Sequence, residues 1–336
     1  MAKRRLSQRQ KERIASIQEK RRQRLEERAE QAFDHADHGA PQQGQVITRH
    51  GQNLVVADET GNLRHCLWRQ NLGHIVCGDR VIWEPTDDNA GVVTALLARD
   101  SVLARPDYSG HEKPLAANIT KLVVVLAPKP EPSEYLLDQY LVTAETIGVE
   151  AIIAFNKMDL LNNSETEGLK ERFAVYAEIG YPVVYISAKF EHGLDPLIEQ
   201  LRDQTSILVG QSGVGKSSLI KALLPDQEIQ TGQLSKATGL GRHTTSASTC
   251  YSLSTGGKLI DSPGVRSFRL VALSHKELEH GFREFHPHLG HCKFSDCRHR
   301  EEPDCALLAA VEEGKIDQRR LNNFLHLADN ISREGM

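Results

Sequence analysis

The sequence predicts a multidomain chain of the α/β class: a small β-barrel, then a doubly wound parallel sheet, then a short helical domain built around a metal. Three observations predict it. Short strands of alternating apolar and polar residues fill 44–98, continuous apolar strands alternate with helical stretches from Lys121 onward, and three of the six cysteines crowd between Cys292 and Cys305. At 336 residues the chain suits about two or three domains. Hydrophobic residues at 39% and charged residues at 26% are ordinary for a globular protein, which excludes collagen, wholesale disorder and a disulfide scaffold. The longest apolar runs, 122–127 and 151–155, fall far short of the ~20 residues that cross a bilayer. The basic N-terminus has no apolar stretch behind it, as a secretory signal would require. A cytoplasmic monomer with no membrane partner is the expectation.

Residues 1–40 are expected to form a basic flexible arm. Residues 1–28 carry 11 Lys/Arg against 4 Asp/Glu, net +7, in a chain whose total is -4. Such an arm either neutralises nucleic-acid phosphates or is a solvated tail. Over 44–100 the runs QVITRHGQNLVVAD, LRHCLWR, DRVIWEP and GVVTALL, with turns at Gly51, Gly61, Gly78 and Gly91, predict four or five strands. An oligonucleotide-binding (OB-fold) barrel fits, and an SH3-like barrel reads similarly. Trp68, Arg69, Arg80 and Trp83 are candidates to stack on and clamp nucleic acid, or else the two tryptophans are core. Cys66, Cys77 and Cys250 sit in strand-like contexts as core thiols.

Residues 110–270 carry the alternation of a doubly wound domain. KLVVVLA, EAIIAFNKMD, PVVYISA and SILVG are strands, and SEYLLDQYLVTAETIG, GLKERFAVYAEIG and LDPLIEQLRDQ have helical spacing. Ligands of such sheets bind at the carboxyl ends of the strands, where the motifs fall. The strongest is Gly210-Gln211-Ser212-Gly213-Val214-Gly215-Lys216-Ser217, followed by Ser218, between a strand and a helix. Glycines let backbone N–H groups close on phosphates, Lys216 balances the β and γ charges, and the Ser217 hydroxyl ligates Mg2+. Asn156-Lys157-Met158-Asp159 selects the base. A carboxylate at Asp159 accepts from guanine N1–H and its 2-amino group, whereas adenine offers neither donor. Asn156 braces the loops, Lys157 covers one face of the base, and Ser187-Ala188-Lys189 supplies an N–H to guanine O6. Asp261 reaches Mg2+ through a water, and the Gly264 N–H senses the γ-phosphate. Within 239–248, the expected first switch, Thr245 is the residue expected to cap Mg2+, with Thr244 second. GTP and GDP are the expected ligands.

The order of these motifs matters most. The base-reading motifs precede the phosphate loop, so the domain is circularly permuted and its second switch leads straight into residues 271–336. Nucleotide state is therefore placed to pull on that segment. There Cys292, Cys297, His299 and Cys305, spaced Cys-x4-Cys-x-His-x5-Cys, fit a closed tetrahedral Zn2+ site, with His286, His288 and His291 nearby. Long apolar runs are scarce between Ser274 and Pro303, and the metal is expected to replace a core. CALLAAVEEG and QRRLNNFLHLADNI follow as two helices.

With the motifs GQSGVGKSS, NKMD, GRHTT, DSPGVRSF and the Cys-Cys-His-Cys knuckle in this permuted order, the chain resembles the RsgA (YjeQ) family of ribosome small-subunit-dependent GTPases. The resemblance runs from Gly44 to the C-terminal helices. It implies an OB-fold barrel, a permuted GTPase core and a zinc domain. It also implies a partner in the small ribosomal subunit with its 16S rRNA, and a role in late maturation of that subunit. Val265 stands where Ras-type proteins place a water-orienting glutamine, so intrinsic hydrolysis is expected to be slow, with His243 as the catalytic substitute. The alternative is a GTP-gated RNA-binding translation regulator in which hydrolysis is incidental; turnover with and without ribosomal particles separates the two.

Overall fold

The computed structural model describes residues 39–334 except 52, 69–71, 87–89, 107–111, 191–192, 228–229, 232–233, 235–247 and 263–272. The basic arm through residue 38, and Arg69, lie outside the described residues. Strands β1 (Gln42–His50), β2 (Asn53–Asp58), β3 (Leu63–Trp68), β4 (Arg80–Pro85) and β5 (Ala90–Leu96) close on themselves. β1 pairs antiparallel with both β2 and β4, β4 with β5, and β3 runs parallel to β5. That circuit, 1-2-3-5-4-1, is the OB-fold barrel and decides against the SH3-like alternative.

The barrel is packed around Trp83, 1% exposed. A Cβ on Gly91 would stand 2.4 Å from Trp83 Cε3, and one on Gly44 2.4 Å from Val56 Cγ1 and 3.1 Å from Trp83 Cδ1, so these glycines make room for the indole. Trp68 is 7% exposed, with the Arg49 guanidinium 4.7 Å from its ring centroid. Both tryptophans therefore belong to the core and are not stacking platforms. They stand two residues from buried Cys66 and Val81, in phase with the apolar face. Arg80 is exposed but is held by the Ala98 carbonyl and Asp100.

A hairpin of β6 (Val102–Pro106) and β7 (Glu112–Ala117) links the barrel to the larger sheet. There β8 (Lys121–Leu126), α1 (Glu134–Ile147), β9 (Glu150–Phe155), α2 (Asn163–Glu178), β10 (Val183–Tyr185), α3 (Asp195–Leu201) and β11 (Thr205–Val209) alternate as expected. They are followed by α4 (Lys216–Leu223), β12 (Thr249–Ser252) and β13 (Lys258–Asp261). The strands lie in the order β10-β9-β8-β11-β13-β12, parallel except at β12, and β12 also pairs with β1, making one eleven-stranded sheet. Counted from β11 as the first strand, the spatial order is 2-3-1-4-5-6, which is what a displaced chain break produces. β8 is buried along its whole length, as expected of a central strand covered on both faces.

The C-terminal segment contains α5 (His275–His280), a 3-10 turn at Arg283–His288, α6 (Ala306–Glu312) and α7 (Gln318–Glu334). It has a core of its own, contrary to expectation. Phe282, Phe285 and Phe324 are fully buried and contact one another at centroid distances of 4.9 to 5.6 Å, among Leu278, Leu307, Ile316 and Leu321. These apolar residues are spread singly over short elements separated by charges, so no run betrays them. Val142 of α1 joins this core, and Gly281 lies so close that a Cβ there would meet Val142 Cγ1 at 2.7 Å. Among the described residues no helix is long and apolar enough to cross a membrane.

Candidate nucleotide site and metal centre

The phosphate loop leaves the carboxyl end of β11 and enters α4. Gly210, Gly213 and Gly215 have φ of 134°, 85° and 98°. A Cβ at Gly210 would stand 2.2 Å from the Val125 carbonyl oxygen, and one at Gly215 2.4 Å from Asn156 Nδ2. Only glycine fits this wrap, which leads straight into the N-terminus of α4, the end of a helix at which backbone N–H groups take phosphates. Ser212, Gly213, Ser217 and Ser218 are exposed, Gln211 is half-buried, and Val214 is buried beneath them. Lys216 Nζ donates to the Gly210 and Gln211 carbonyls, both at 2.6 Å, and so folds its charge back over the loop.

The base-reading residues converge on this loop from β9 and β10. Asn156, 1% exposed, donates from Nδ2 to the Val214 carbonyl at 2.9 Å and accepts from the Ala188 N–H at 3.2 Å. One amide thereby staples three loops. Lys157 adopts a left-handed φ of 63° and donates to the Gly213 and Lys129 carbonyls, while Met158 packs against the main core. Asp159 accepts from Ser187 Oγ at 2.7 Å and from Lys189 Nζ at 3.5 Å. The Ser187 hydroxyl, with the lysine behind it, holds the Asp159 carboxyl below its ordinary range, so it is ionised and ready to accept from two donors. Asp261 ends β13, the strand directly beside β11 and its phosphate loop. His243, Thr244, Thr245, Gly264 and Val265 lie outside the described residues.

The expected metal ligands converge too. His299 Nδ1 lies 3.6, 3.5 and 3.3 Å from the sulfurs of Cys292, Cys297 and Cys305, and the Cys292 and Cys305 sulfurs are 3.9 Å apart. All four ligand atoms fall within 4.8 Å of one another. A tetrahedral metal with bonds of ~2.3 Å to sulfur and ~2.0 Å to nitrogen requires edges of about 3.5 to 3.8 Å. The donor set therefore fits a metal ion with no position left open. Burial pushes the Cys297 thiol up to about 12, so the thiolates call for a cation among them. One partner went unforeseen: Glu279 Oε1 takes His299 Nε2 at 3.0 Å and His275 Nδ1 at 2.8 Å, turning Nδ1 of His299 toward the sulfurs. Nothing in the spacing relates Glu279 to a ligand twenty residues away; the approach of α5 to the knuckle creates the contact.

Similarity to known proteins agrees with this geometry. A family model described as RsgA GTPase matches residues 96–271. The small ribosomal subunit biogenesis GTPase RsgA of Alcanivorax borkumensis is 45% identical over 344 residues, covering 100% of this chain and 98% of its own. The protein of the same name from Pseudomonas aeruginosa is 44% identical over 330 residues, with 97% of each chain covered. Among solved structures, YjeQ from Thermotoga maritima superposes with a TM-score of 0.72 at 33% identity, over 87% of this chain and 99% of that one. YloQ, described as a circularly permuted GTPase, does so with 0.71 at 28% identity, over 89% and 98%. Motif order, strand order and similarity over the full length lead to one assignment: this chain belongs to the RsgA GTPase family.

Proposed function

We propose that this GTPase binds the small ribosomal subunit, hydrolyses GTP to GDP and phosphate during late maturation of that subunit, and uses hydrolysis to time its own release. The observation that carries the nucleotide half is the Asn156 staple, which joins the phosphate loop to both base-reading loops with an ionised Asp159 beside Ser187. The ribosomal half rests on the names and full-length similarity of the relatives.

In this reading the N–H groups of 210–218 and Lys216 hold the phosphates, Asp159 reads guanine, Lys157 covers one face of the base, and Ser187-Ala188-Lys189 supplies an N–H to guanine O6. Ser217 and Thr245 hold Mg2+, which offsets phosphate charge when bound, and Asp261 supports it through a water. Gly264 senses the γ-phosphate, and His243 orients the attacking water. Cys292, Cys297, His299 and Cys305 hold one structural Zn2+. We divide the chain into a basic arm at 1–40, the barrel at 44–100, the GTPase domain at 110–270 and the zinc-binding helical domain at 271–336. The protein acts as a cytoplasmic monomer, with 16S rRNA as the surface met by the arm.

The test exploits the guanine amino group. Asp159→Asn replaces an acceptor by a donor, so GTP affinity falls and preference moves toward xanthosine triphosphate. Each hydrogen bond to the carboxylate accounts for about 1.5 to 3 kcal/mol, so the GTP/XTP ratio should shift by at least tenfold when both nucleotides are titrated against both proteins. An unchanged ratio would remove Asp159 from base recognition. Co-sedimentation with each ribosomal subunit, loaded with GDP or a non-hydrolysable GTP analogue, tests the ribosomal half.

A further inference from the structure

The barrel joins the α/β sheet through one register pair, Thr48 against Thr249, directly after a bulge that redirects β1. Hydroxyl groups gather at this narrow seam. Thr48 Oγ1 donates to the Ser248 carbonyl at 2.9 Å and lies 3.3 Å from Thr249 Oγ1, from which it accepts. Ser248 Oγ in turn bonds Ser262 Oγ at 2.7 Å. Thr48 is 2% exposed and Ser262 8%, so water does not compete for these groups. Ser248 closes the stretch expected to be the first switch, and Ser262 stands between Asp261 and the glycine expected to sense the γ-phosphate. Barrel, first switch and second switch thus meet within three side chains.

We propose that Thr48, a residue of the barrel, is a positioning residue of the GTPase centre. Its hydroxyl fixes the Ser248 peptide, Ser248 fixes Ser262, and Asp261 is thereby held in register with both switch ends. Valine would fill the same buried space, so Thr48→Val removes the hydroxyl and its two hydrogen bonds while keeping the packing. Hydrolysis requires the switches to be placed to a fraction of an ångström, and a relay anchored outside the domain supplies a fixed point for both. The coupling is reciprocal: whatever grips the barrel also acts on the switch ends. The proposal rests on the nucleotide reading above, not on the ribosomal one.

The experiment is single-turnover hydrolysis of bound GTP by the full chain, with and without small ribosomal subunits. Wild type is compared with Thr48→Val, Thr48→Ser, Ser248→Ala and the Thr48→Val/Ser248→Ala double variant. Thr48→Val should lower the rate constant about five- to tenfold, the loss typical of one buried hydrogen bond, with GTP and GDP affinities within about twofold of wild type. Thr48→Ser should restore the rate, and the double variant should be no slower than the slower single one. Hydrogen exchange over 248–252 should quicken in Thr48→Val, and thermal unfolding checks that each variant is folded. A wild-type rate in Thr48→Val, an equal loss in Thr48→Ser, or additive losses in the double variant would each overturn the proposal. A wild-type rate indifferent to subunits would defeat the ribosomal reading alone, because the Thr48 comparison is also made on the basal rate.

Discussion

The α/β domain carries two neighbours, and the polar contacts that attach them differ in kind. The barrel meets that domain through neutral hydroxyls around Thr48, a bond from Lys258 to Gln45, and apolar packing of Ile47, Val55 and Cys77 into the main core. The C-terminal domain is clamped by charge. Arg320, 1% exposed, donates to both oxygens of Glu284, at 2.6 and 3.0 Å, and to Asp138 of α1. Asp138 also accepts from Tyr176 at 2.8 Å and Asn323 at 2.6 Å. Arg283 adds a 2.6 Å bond to Glu145 and lies 4.1 Å from the Tyr181 ring centroid. A buried ion network tolerates almost no change of geometry, since any separation leaves a charge without its partner. The seam hydroxyls carry no net charge, but those of Thr48 and Ser262 are buried, so each loses a bond that water does not replace when the seam opens. The C-terminal domain is thus held by buried charge, and the barrel by neutral hydrogen bonds laid over a shared apolar core.

The clamp breaks most visibly at Arg320. Arg320→Ala strands Asp138 and Glu284 in the interior and should cost about 3 to 5 kcal/mol in urea unfolding, with early proteolysis of the C-terminal domain. A loss under about 1 kcal/mol would mean that the network behaves like a surface pair and that the contrast is false. Arg320→Met, which keeps the packing against Phe282, should cost less than alanine.

A smaller and more local effect is expected at the metal. Because the C-terminal domain has its own core, chelation or Cys297→Ala should open 291–305 to protease while α6 and α7 stay packed and nucleotide still binds. Metal analysis of protein purified without chelator should give one Zn2+ per chain. Collapse of the whole domain on chelation would show that the metal, not the phenylalanine core, holds it.

The smallest effect isolates the barrel. Burial opposes ionisation of Asp58, but the Thr60 hydroxyl, the Asn62 and Thr60 N–H groups and Arg64 outweigh it and hold the carboxyl at about 2. A depressed value in the folded state adds stability that is complete above the unfolded value near ~3.9 and is lost as pH falls toward the folded one. Asp58→Asn should therefore flatten the acid dependence of barrel stability below about pH 4. Both tryptophans of the chain lie in the barrel, so their fluorescence reports it alone. An unchanged acid midpoint would show that Asp58 contributes nothing there.

Legibility followed the locality of the signal. The phosphate loop and Asn156 to Asp159 could be read because the chemistry lies within a few consecutive residues, and their convergence follows from the strand order. The barrel strands were visible in their alternation, but the circuit through β3 and β5 depends on pairings between distant residues. The tryptophans could have been assigned to the core from their phase with Cys66 and Val81. The β6–β7 hairpin escaped notice because its strands carry Arg105, Pro106, Lys113 and Pro114. Glu279, Arg320 and Thr48 left no mark, since each acquires its role only when separate elements pack together.

The seam between barrel and sheet also imposes a schedule on synthesis. Thr48 and Thr249 are 201 residues apart, whereas the barrel closes within its own strands through the β1 to β4 pairing. At roughly 5 to 20 residues per second, β12 leaves the ribosome on the order of 10 to 40 s after β1. The barrel is complete first and waits. Its contact with the switch ends forms only after the phosphate loop has been made, so an unfinished chain has a finished barrel with nothing yet to report to.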